Sequence, residues 1–414
     1  MKRAPNIMII LADDLDYGDI GCYGNARIQT PNIDALAAGG LRFTDFHSSG
    51  AVCSPTRAGL LTGRYQQRAG IPGVVTAAGH RDKGLSPDEV TFAKCLRDAG
   101  YATGVFGKWH LGYDPKFNPV HHGFDEFRGY VSGNVDYISH HDQTGVHDWW
   151  DGDTPIHEEG YTTHLITEHS LRFIEENHDR PFCLYIAHEA PHYPYQVPGD
   201  EPVRSDGKGG MGRRKDDVSE EYRTMVEVMD DGVGEVVATV ERLGIERETL
   251  IFFFSDNGAC GEGSNAPLRG GKGNVYEGGH RVPAIAYWPG VVAPDTETAE
   301  PTISLDLMPT VLELADAPVP AGHGLDGADL TTLLRGEPLA QERPLFWAHG
   351  EQRAMRLGEW KLVIMSPGGP AELYNVAEDM AETIDLADDH PRRVAEMRAT
   401  LTAWESDVNA DQEW

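Results

Sequence analysis

The sequence contains no apolar run long enough to span a bilayer, which excludes a helical membrane-spanning protein. Cysteine is sparse. Cys22, Cys53, Cys95, Cys183 and Cys260 are an odd set without close spacing, which argues against a disulfide framework or a cysteine-based zinc site and suits a reducing compartment. Positive charge is scarce as well: 35 lysines and arginines face 66 acidic residues, for a net charge of −31. With no basic stripe, nucleic acid is not an expected partner, and neither is a membrane. So acidic a surface repels anions at long range, and a site for an anionic substrate has to supply its own local positive charge. The first apolar stretch, Asn6 to Leu11, runs into Asp13-Asp14 and is too short for a signal peptide, so it is expected to be a core strand. The expected location is cytoplasmic, or exported if a leader has been removed. Internal repeats are lacking.

What is present is the composition of an ordinary globule, 40% hydrophobic and 24% charged, with 414 residues for one large unit and a smaller one. Four short, continuous apolar runs read as strands buried on both faces, and each ends in polar residues. Asn6 to Leu11 ends at Asp13-Asp14, Ala102 to Phe106 at Lys108-Trp109-His110, Phe182 to Ala187 at His188 and His192, and Leu250 to Phe254 at Asp256-Asn257. Helical patterns lie between them. One is opened by Thr30-Pro31 and closed by Gly39-Gly40; another is opened by a capping box, Ser86-Pro87-Asp88-Glu89, and ends at Gly100. Two more run from Tyr161 to Glu176 and from Ser219 to Leu243. The alternation predicts an α/β fold, a large mainly parallel sheet sandwiched by helices. In such folds ligands bind beyond the carboxyl ends of the strands, where these aspartates, lysine and histidines fall. After a short helix at Ser304 to Ala315, Pro318, Pro320 and Gly322-His323-Gly324 mark a boundary. Residues 1–320 are expected to form a catalytic unit, and residues 321–414 a small antiparallel sheet with a terminal helix from Val394 to Trp404. Gly207 to Asp217 reads as an exposed, mobile polar loop.

The densest chemical signal is Cys53-Ser54-Pro55-Thr56-Arg57. Pro55 suits the first turn of a helix and Gly63 its end. Cys53 then sits at a helix N-terminus, where the dipole favours negative charge, with Arg57 one turn on over the same spot. A small buried thiol near a cap would leave the same local pattern. Asp13, Asp14, Asp256 and Asn257 are all oxygen donors. Asp13-Asp14 alone reads as an exposed turn; together the two pairs read as a site for a hard cation, calcium or magnesium rather than zinc.

Cys53 to Arg57, running into Ala58-Gly59-Leu60-Leu61-Thr62-Gly63-Arg64, resembles the signature of the sulfatase family. So do Gly107-Lys108-Trp109-His110-Leu111-Gly112, Ala190-Pro191-His192-Tyr193-Pro194, and Gly271-Lys272-Gly273 with Glu277-Gly278-Gly279, in the family's order. The resemblance implies that a formylglycine-generating maturation enzyme oxidises Cys53 to Cα-formylglycine, whose hydrate is the nucleophile. It implies a metal ion, usually calcium, held by Asp13, Asp14, Asp256, Asn257 and residue 53. The implied mechanism is covalent and has two steps. One hydroxyl of the hydrate attacks sulfur, Arg57, Lys108 and Lys272 bear charge on the sulfuryl oxygens, and His192 with Lys272 protonates the leaving alcohol. Collapse to the aldehyde with His110 as base then releases sulfate, a step that needs two hydroxyls on one carbon. His188 lines the pocket or closes its strand. The stretch from His121-His122-Gly123-Phe124-Asp125 to Trp150 resembles arylsulfatase-like and galactosamine-6-sulfatase-like members. Within it Asp136, Tyr137, His140, His141 and Trp149 are candidate substrate contacts or, equally, parts of an ordered loop. The expected substrate is a sulfated carbohydrate, with aryl sulfates as surrogates. A phosphonate or phosphate ester hydrolase with the same nucleophile is the nearest alternative, and a non-catalytic sulfated-glycan-binding protein a more distant one.

Overall fold

A computed structural model describes residues 4–211, 219–258 and 260–409. Its strands are β1 (Asn6–Asp13), β2 (Leu41–Phe43), β3 (Phe46–His47), β4 (Ala102–Lys108), β5 (Glu126–Tyr130), β6 (Trp150–Asp151), β7 (Thr154–Pro155) and β8 (Phe182–Pro191). They continue with β9 (Thr249–Ser255), β10 (Ala284–Tyr287), β11 (Thr296–Thr298), β12 (Thr302–Ile303), β13 (Leu345–His349), β14 (Gln352–Leu357), β15 (Trp360–Ile364) and β16 (Ala371–Asn375). The helices are α1 (Pro31–Ala38), α2 (Cys53–Thr62), α3 (Phe92–Asp98), α4 (Thr162–Asn177), α5 (Ser219–Arg242), α6 (Glu277–His280), α7 (Leu307–Leu314) and α8 (Pro391–Val408).

Ten strands form one sheet in the order β11-β2-β10-β9-β1-β8-β4-β5-β6-β7. Its centre, from β9 to β5, is parallel and is flanked on both sides by antiparallel pairs, with β11 running parallel to β2 at one edge. The four apolar runs are the four central strands, buried along their whole length. Alternate residues of β1 serve opposite faces. Ile7, Ile9 and Leu11 join a core with residues of α2, α3 and α7, while Met8, Ile10 and Ala12 join one with α1, α4 and α5. Each large apolar side chain buried in this way contributes about 1.5–3 kcal/mol, so strand register is set by two cores at once.

The helix expected from Ser86 starts later. Ser86 Oγ accepts the Asp88 N–H at 3.2 Å in a local turn, and Glu89 faces Arg64 at 3.6 Å. α3 begins at Phe92, capped by the Thr91 side chain, which accepts from the Lys94 N–H. The later cap wins because Phe92, Ala93, Cys95 and Leu96 then bury one apolar face. Of the loop expected from Gly207 to Asp217, Gly207 to Gly210 are exposed and residues 212–217 lie outside the described residues. Among the described residues no helix is long and apolar enough to cross a membrane.

A separate antiparallel sheet, β13-β14-β15-β16, packs with α8 around a third core. That core also takes in Tyr65, Val275, Tyr276, Ile303 and Leu305 from earlier in the chain. Between the two sheets lies a buried ionic network. Lys361 Nζ is 2.8 Å from Glu277 Oε1 and 2.9 Å from Glu382 Oε1, and Arg281 reaches the other Glu277 oxygen at 3.0 Å. Arg356 grips both oxygens of Asp45 at 2.6 Å. Removing one partner strands a buried charge, so Lys361→Met is expected to destabilise the fold by about 3–5 kcal/mol in urea unfolding. A loss below about 1 kcal/mol would show that the network behaves like a surface pair.

Candidate active site

Asp13 is the last residue of β1, and Asp14 follows it with φ +62°. This left-handed step ends the strand's alternation, so two adjacent carboxylates turn to one place. β4 ends at Lys108, whose ammonium pairs with Asp13. β9 hands over to Asp256 and Asn257. The register of β8 against β1 shifts near its end, a bulge-type irregularity that carries β8 to Pro191 and sets His192 just beyond. The N-terminus of α2 brings in Cys53, and all ten residues of α2 are buried. Gly63, at φ +63°, ends that helix by returning its N–H to Gly59 O. Ligand atoms of Asp13, Asp14, Cys53 and His192 lie within 4.8 Å of one another.

Charge pairing organises the cluster. Arg57 donates Nε and a terminal nitrogen to Asp256 at 3.1 and 2.8 Å, and lies 3.6 Å from Asp13. Its other terminal nitrogen reaches Lys108 O at 3.1 Å. Arg57 is fully buried, with its donors directed to carboxylates and backbone. Lys272 Nζ contacts both oxygens of Asp14 at 2.6 and 2.8 Å, and Asn257 Nδ2 reaches Asp14 Oδ1 at 2.6 Å.

Burial raises the Asp14 pKa, but Lys272, His192 and Asn257 outweigh it and hold the carboxyl below its usual range. Asp256 goes the other way: burial and then the charge of Asp13 push it up to about 6 against Arg57 and Lys108. Lys108 and Lys272 keep their protons, since carboxylates outweigh burial at both. Burial pushes the Cys53 thiol up to about 12 in spite of both lysines. Burial and neighbouring cations lower His110 far below the ordinary histidine value, and bring His192 to about 3 although Asp14 opposes them.

The cluster fits a hard divalent cation. Three carboxylates crowd together, and Asn257 Oδ1 is buried with no hydrogen-bond partner among the described residues. Exchanging the amide O and N would turn that oxygen to the position 2.6 Å from Asp14 Oδ1. Asp13, Asp14, Asp256 and Asn257 offer oxygen donors, as calcium or magnesium requires. A second convergent group, His47, Glu277 and His280, does not fit a cation. Its ring nitrogens are all bonded already, His47 Nδ1 to His280 Nδ1 at 3.0 Å, His47 Nε2 to Asp45 at 2.8 Å and His280 Nε2 to Val275 O at 3.1 Å, so among the described residues it holds no free donor comparable to Asn257 Oδ1.

The candidate substrate contacts fare differently. Asp136 is fully buried, and its oxygens accept from the N–H groups of Ile138, Ser139, Val203 and Arg204 and from Gln196 Nε2. Both of its oxygens are thus engaged within the loop. His140 stacks on buried Trp149 and bonds Gly160 O at 3.1 Å, while both ring nitrogens of His141 are engaged, by Ser139 O at 2.8 Å and Asp206 at 3.0 Å. Tyr137 is buried and donates to His192 O at 2.8 Å. His188 is buried in β8, and burial lowers it to about 4. Sequence reasoning missed Tyr193, whose ring lies 4.3 Å from that of His192 and whose hydroxyl takes Gln143 Nε2 at 2.7 Å. It also missed Tyr185, whose hydroxyl lies 3.4 Å from Arg57. Tyr193 stands in the quoted motif; Tyr185 has no signal beyond being an aromatic in a buried strand.

The Sulfatase family model matches residues 5–317. The chain belongs to the sulfatase family. Human arylsulfatase A is 39% identical over a 448-residue alignment covering 93% of this chain and 84% of the relative. Mouse N-acetylgalactosamine-6-sulfatase is 36% identical over 389 residues, covering 87% of this chain and 72% of the relative. Among solved structures, Ps i-CgsB superposes with a TM-score of 0.88 at 31% identity, over 97% of this chain and 93% of the other. A second structure of it, in complex with k-i-k-neocarrahexaose, gives 0.86 at the same identity and coverage. This sulfatase is therefore an enzyme that hydrolyses sulfate esters. The family generally works with a formylglycine and a metal ion, and a cluster able to hold an ion is present.

Proposed function

We propose that this sulfatase releases inorganic sulfate from a sulfated carbohydrate, and that residue 53, oxidised to formylglycine by a separate maturation enzyme, is its nucleophile. The observation that carries the reading is the state of Cys53. It sits at the head of α2 among carboxylates and ammonium groups, yet its thiol is held at about 12 and is not a nucleophile at neutral pH. The hydrated aldehyde would supply one hydroxyl to attack sulfur and a second whose deprotonation expels sulfate. A calcium ion, with magnesium second, would be held by Asp13, Asp14, Asp256 and Asn257 and would add fixed positive charge where negative charge develops.

The remaining roles belong to side chains already placed. Lys108 and Lys272 present ammonium groups to the sulfuryl oxygens. His110 Nε2 lies 3.0 Å from Val75 O and so carries that ring's proton, which leaves Nδ1 a buried lone pair with no partner among the described residues, suited to take a proton from residue 53. His192 Nδ1 donates to Tyr193 O at 2.6 Å, and its Nε2 lies 3.6 Å from Asp14. Of the two groups expected to protonate the leaving alcohol, Lys272 carries a proton at neutral pH and His192 is neutral. We therefore assign the donation to Lys272, with His192 beside it.

A carbohydrate substrate is favoured by the oligosaccharide complex of the structural neighbour and by the amino-sugar sulfatase among the relatives. Residues 1–320 form the catalytic unit in this reading and residues 321–414 the smaller one. Cys22, Cys53, Cys95 and Cys183, none of them in a disulfide, favour a cytoplasmic location.

Arg57, Lys108 and Lys272 face three carboxylates, and a divalent cation set against these and the ionised attacking hydroxyl of residue 53 would leave a single positive charge in excess, suited to a sulfate monoester's single negative charge better than to a phosphate dianion. With 4-nitrophenyl esters of both acids, kcat/KM for the sulfate is expected to exceed that for the phosphate by roughly a hundredfold or more. Equal or inverted values would favour the phosphate ester hydrolase.

A further inference from the structure

Lys272 can serve the leaving oxygen only if its loop is held, and the large sheet does not hold that loop alone. Gly270 to Gly279 is folded tightly on itself: a Cβ on Gly279 would come within 1.8 Å of Asn274 O, and one on Gly278 within 2.5 Å of Gly270 O. Such a segment shifts as a unit rather than residue by residue. On one side Gly273 N–H donates to Ala51 O at 2.8 Å, two residues before Cys53. On the other side stands Gln352, the first residue of β14 in the small sheet. Its Oε1 accepts the Val275 N–H at 3.2 Å and its Nε2 donates to Gly273 O at 3.1 Å. One side-chain amide thus grips the backbone immediately after Lys272 in both hydrogen-bonding senses.

The rest of the small sheet braces the same region. Lys361 holds Glu277 at the end of the loop. Trp347 stacks on His280 at 3.9 Å between ring centres and donates Nε1 to Ser48 O at 2.9 Å, in the segment that leads to Cys53. Lys272 and residue 53 are therefore referenced to one another partly through β13 to β15.

We propose that Gln352 is a positioning residue of the sulfatase reaction, fixing the Lys272 ammonium beside Asp14 and residue 53 through the backbone of Gly273 and Val275. The small sheet is in this way part of the catalytic machinery, and the inference rests on the role given to Lys272 above. Losing the grip leaves the lysine in place chemically but not geometrically.

The test is a double-mutant cycle on the intact, matured enzyme, with Lys272→Ala, Gln352→Leu and the two combined, assayed on 4-nitrophenyl sulfate and phenyl sulfate. Gln352→Leu is expected to lower kcat by roughly ten- to a hundredfold, more for phenyl sulfate, whose leaving group needs the proton more, and to change KM less. In the Lys272→Ala background the same substitution should cost less than about twofold, because its effect passes through the lysine. Equal losses in both backgrounds, a loss that is the same for both esters, or an unchanged kcat would overturn the proposal. If Gln352→Leu does not fold, Gln352→Glu takes its place under the same criteria: it keeps an acceptor for Val275 N–H and sets an oxygen against the Gly273 carbonyl. Full activity of Lys272→Ala on both esters would remove the role of Lys272 and this proposal together. An impaired Lys272→Ala with additive Gln352 effects would remove the proposal alone.

Discussion

Cys53→Ala is expected to lower kcat/KM on an aryl sulfate by roughly 10⁵-fold or more, as loss of a covalent nucleophile does, while leaving the thermal unfolding midpoint nearly unchanged. The side chain is small and 2% exposed, and its polar contact among the described residues is a 3.6 Å approach to Asp13. Its removal therefore deletes chemistry and little packing. Cys53→Ser is the sharper variant. Serine places one hydroxyl at the head of α2, under the same lysines, so attack on sulfur remains possible. It has no second hydroxyl on that carbon, so the sulfuryl group cannot be expelled by elimination. Steady-state turnover should vanish, with radiolabelled sulfate from the ester retained on the protein in at most stoichiometric amount. Sustained turnover by the serine variant would mean that the aldehyde is not needed. Direct evidence comes from the tryptic peptide Phe43 to Arg57 of protein made in its native host, whose mass should fall by the difference between a thiol and an aldehyde. An unmodified thiol in active enzyme would remove residue 53 from the mechanism.

The central strands were legible because both of their faces are buried. Asn6 to Leu11 and Leu250 to Phe254 could be nothing but core, and their ends could lie nowhere but at the carboxyl edge of the sheet. The metal-type donors followed from that alone. The start of α3 was not legible, because Ser86 and Thr91 both offer caps and only the burial of Phe92 and Leu96 chooses between them. Asp136, His140 and His141 show a different limit. Residue type announces a lone pair but not whether the backbone of Val203 or Gly160 has already taken it. Arg57 was expected one turn from residue 53, but its ion partners, Asp256 and Asp13, lie far away in sequence. Gln352 is the extreme case. An exposed-looking glutamine near a hairpin carries no signal until the fold brings the loop of Lys272 against it.

Removing divalent ions should abolish turnover and lower the unfolding midpoint, and restoring calcium should reverse both. At a free concentration of 1,000 times Kd the ion would stabilise the fold by about 4 kcal/mol. The pH dependence of that gain tests the ligand set. Asp256 in the ion-free protein is raised to about 6, by burial first and the charge of Asp13 second. Its folded pKa lies above the ordinary value of about 3.9, so in chelator its contribution to stability is fully present below about 3.9 and is lost as pH rises towards 6. Asp14, lowered by Lys272, acts in the opposite sense: its contribution is present above the ordinary carboxylate value and is lost in acid. A cation bound by Asp256 must displace the proton that Asp256 holds below 6. Calcium affinity should therefore fall roughly tenfold for each pH unit below about 6, and level off above about 7. Measured as the calcium-induced rise in midpoint, the effect should be small near pH 5 and reach its plateau near neutrality. A calcium shift that is flat across this range would remove Asp256 from the ligand set, and a larger shift with magnesium would reassign the ion, since only a site able to meet the smaller ion's octahedral demand would prefer it.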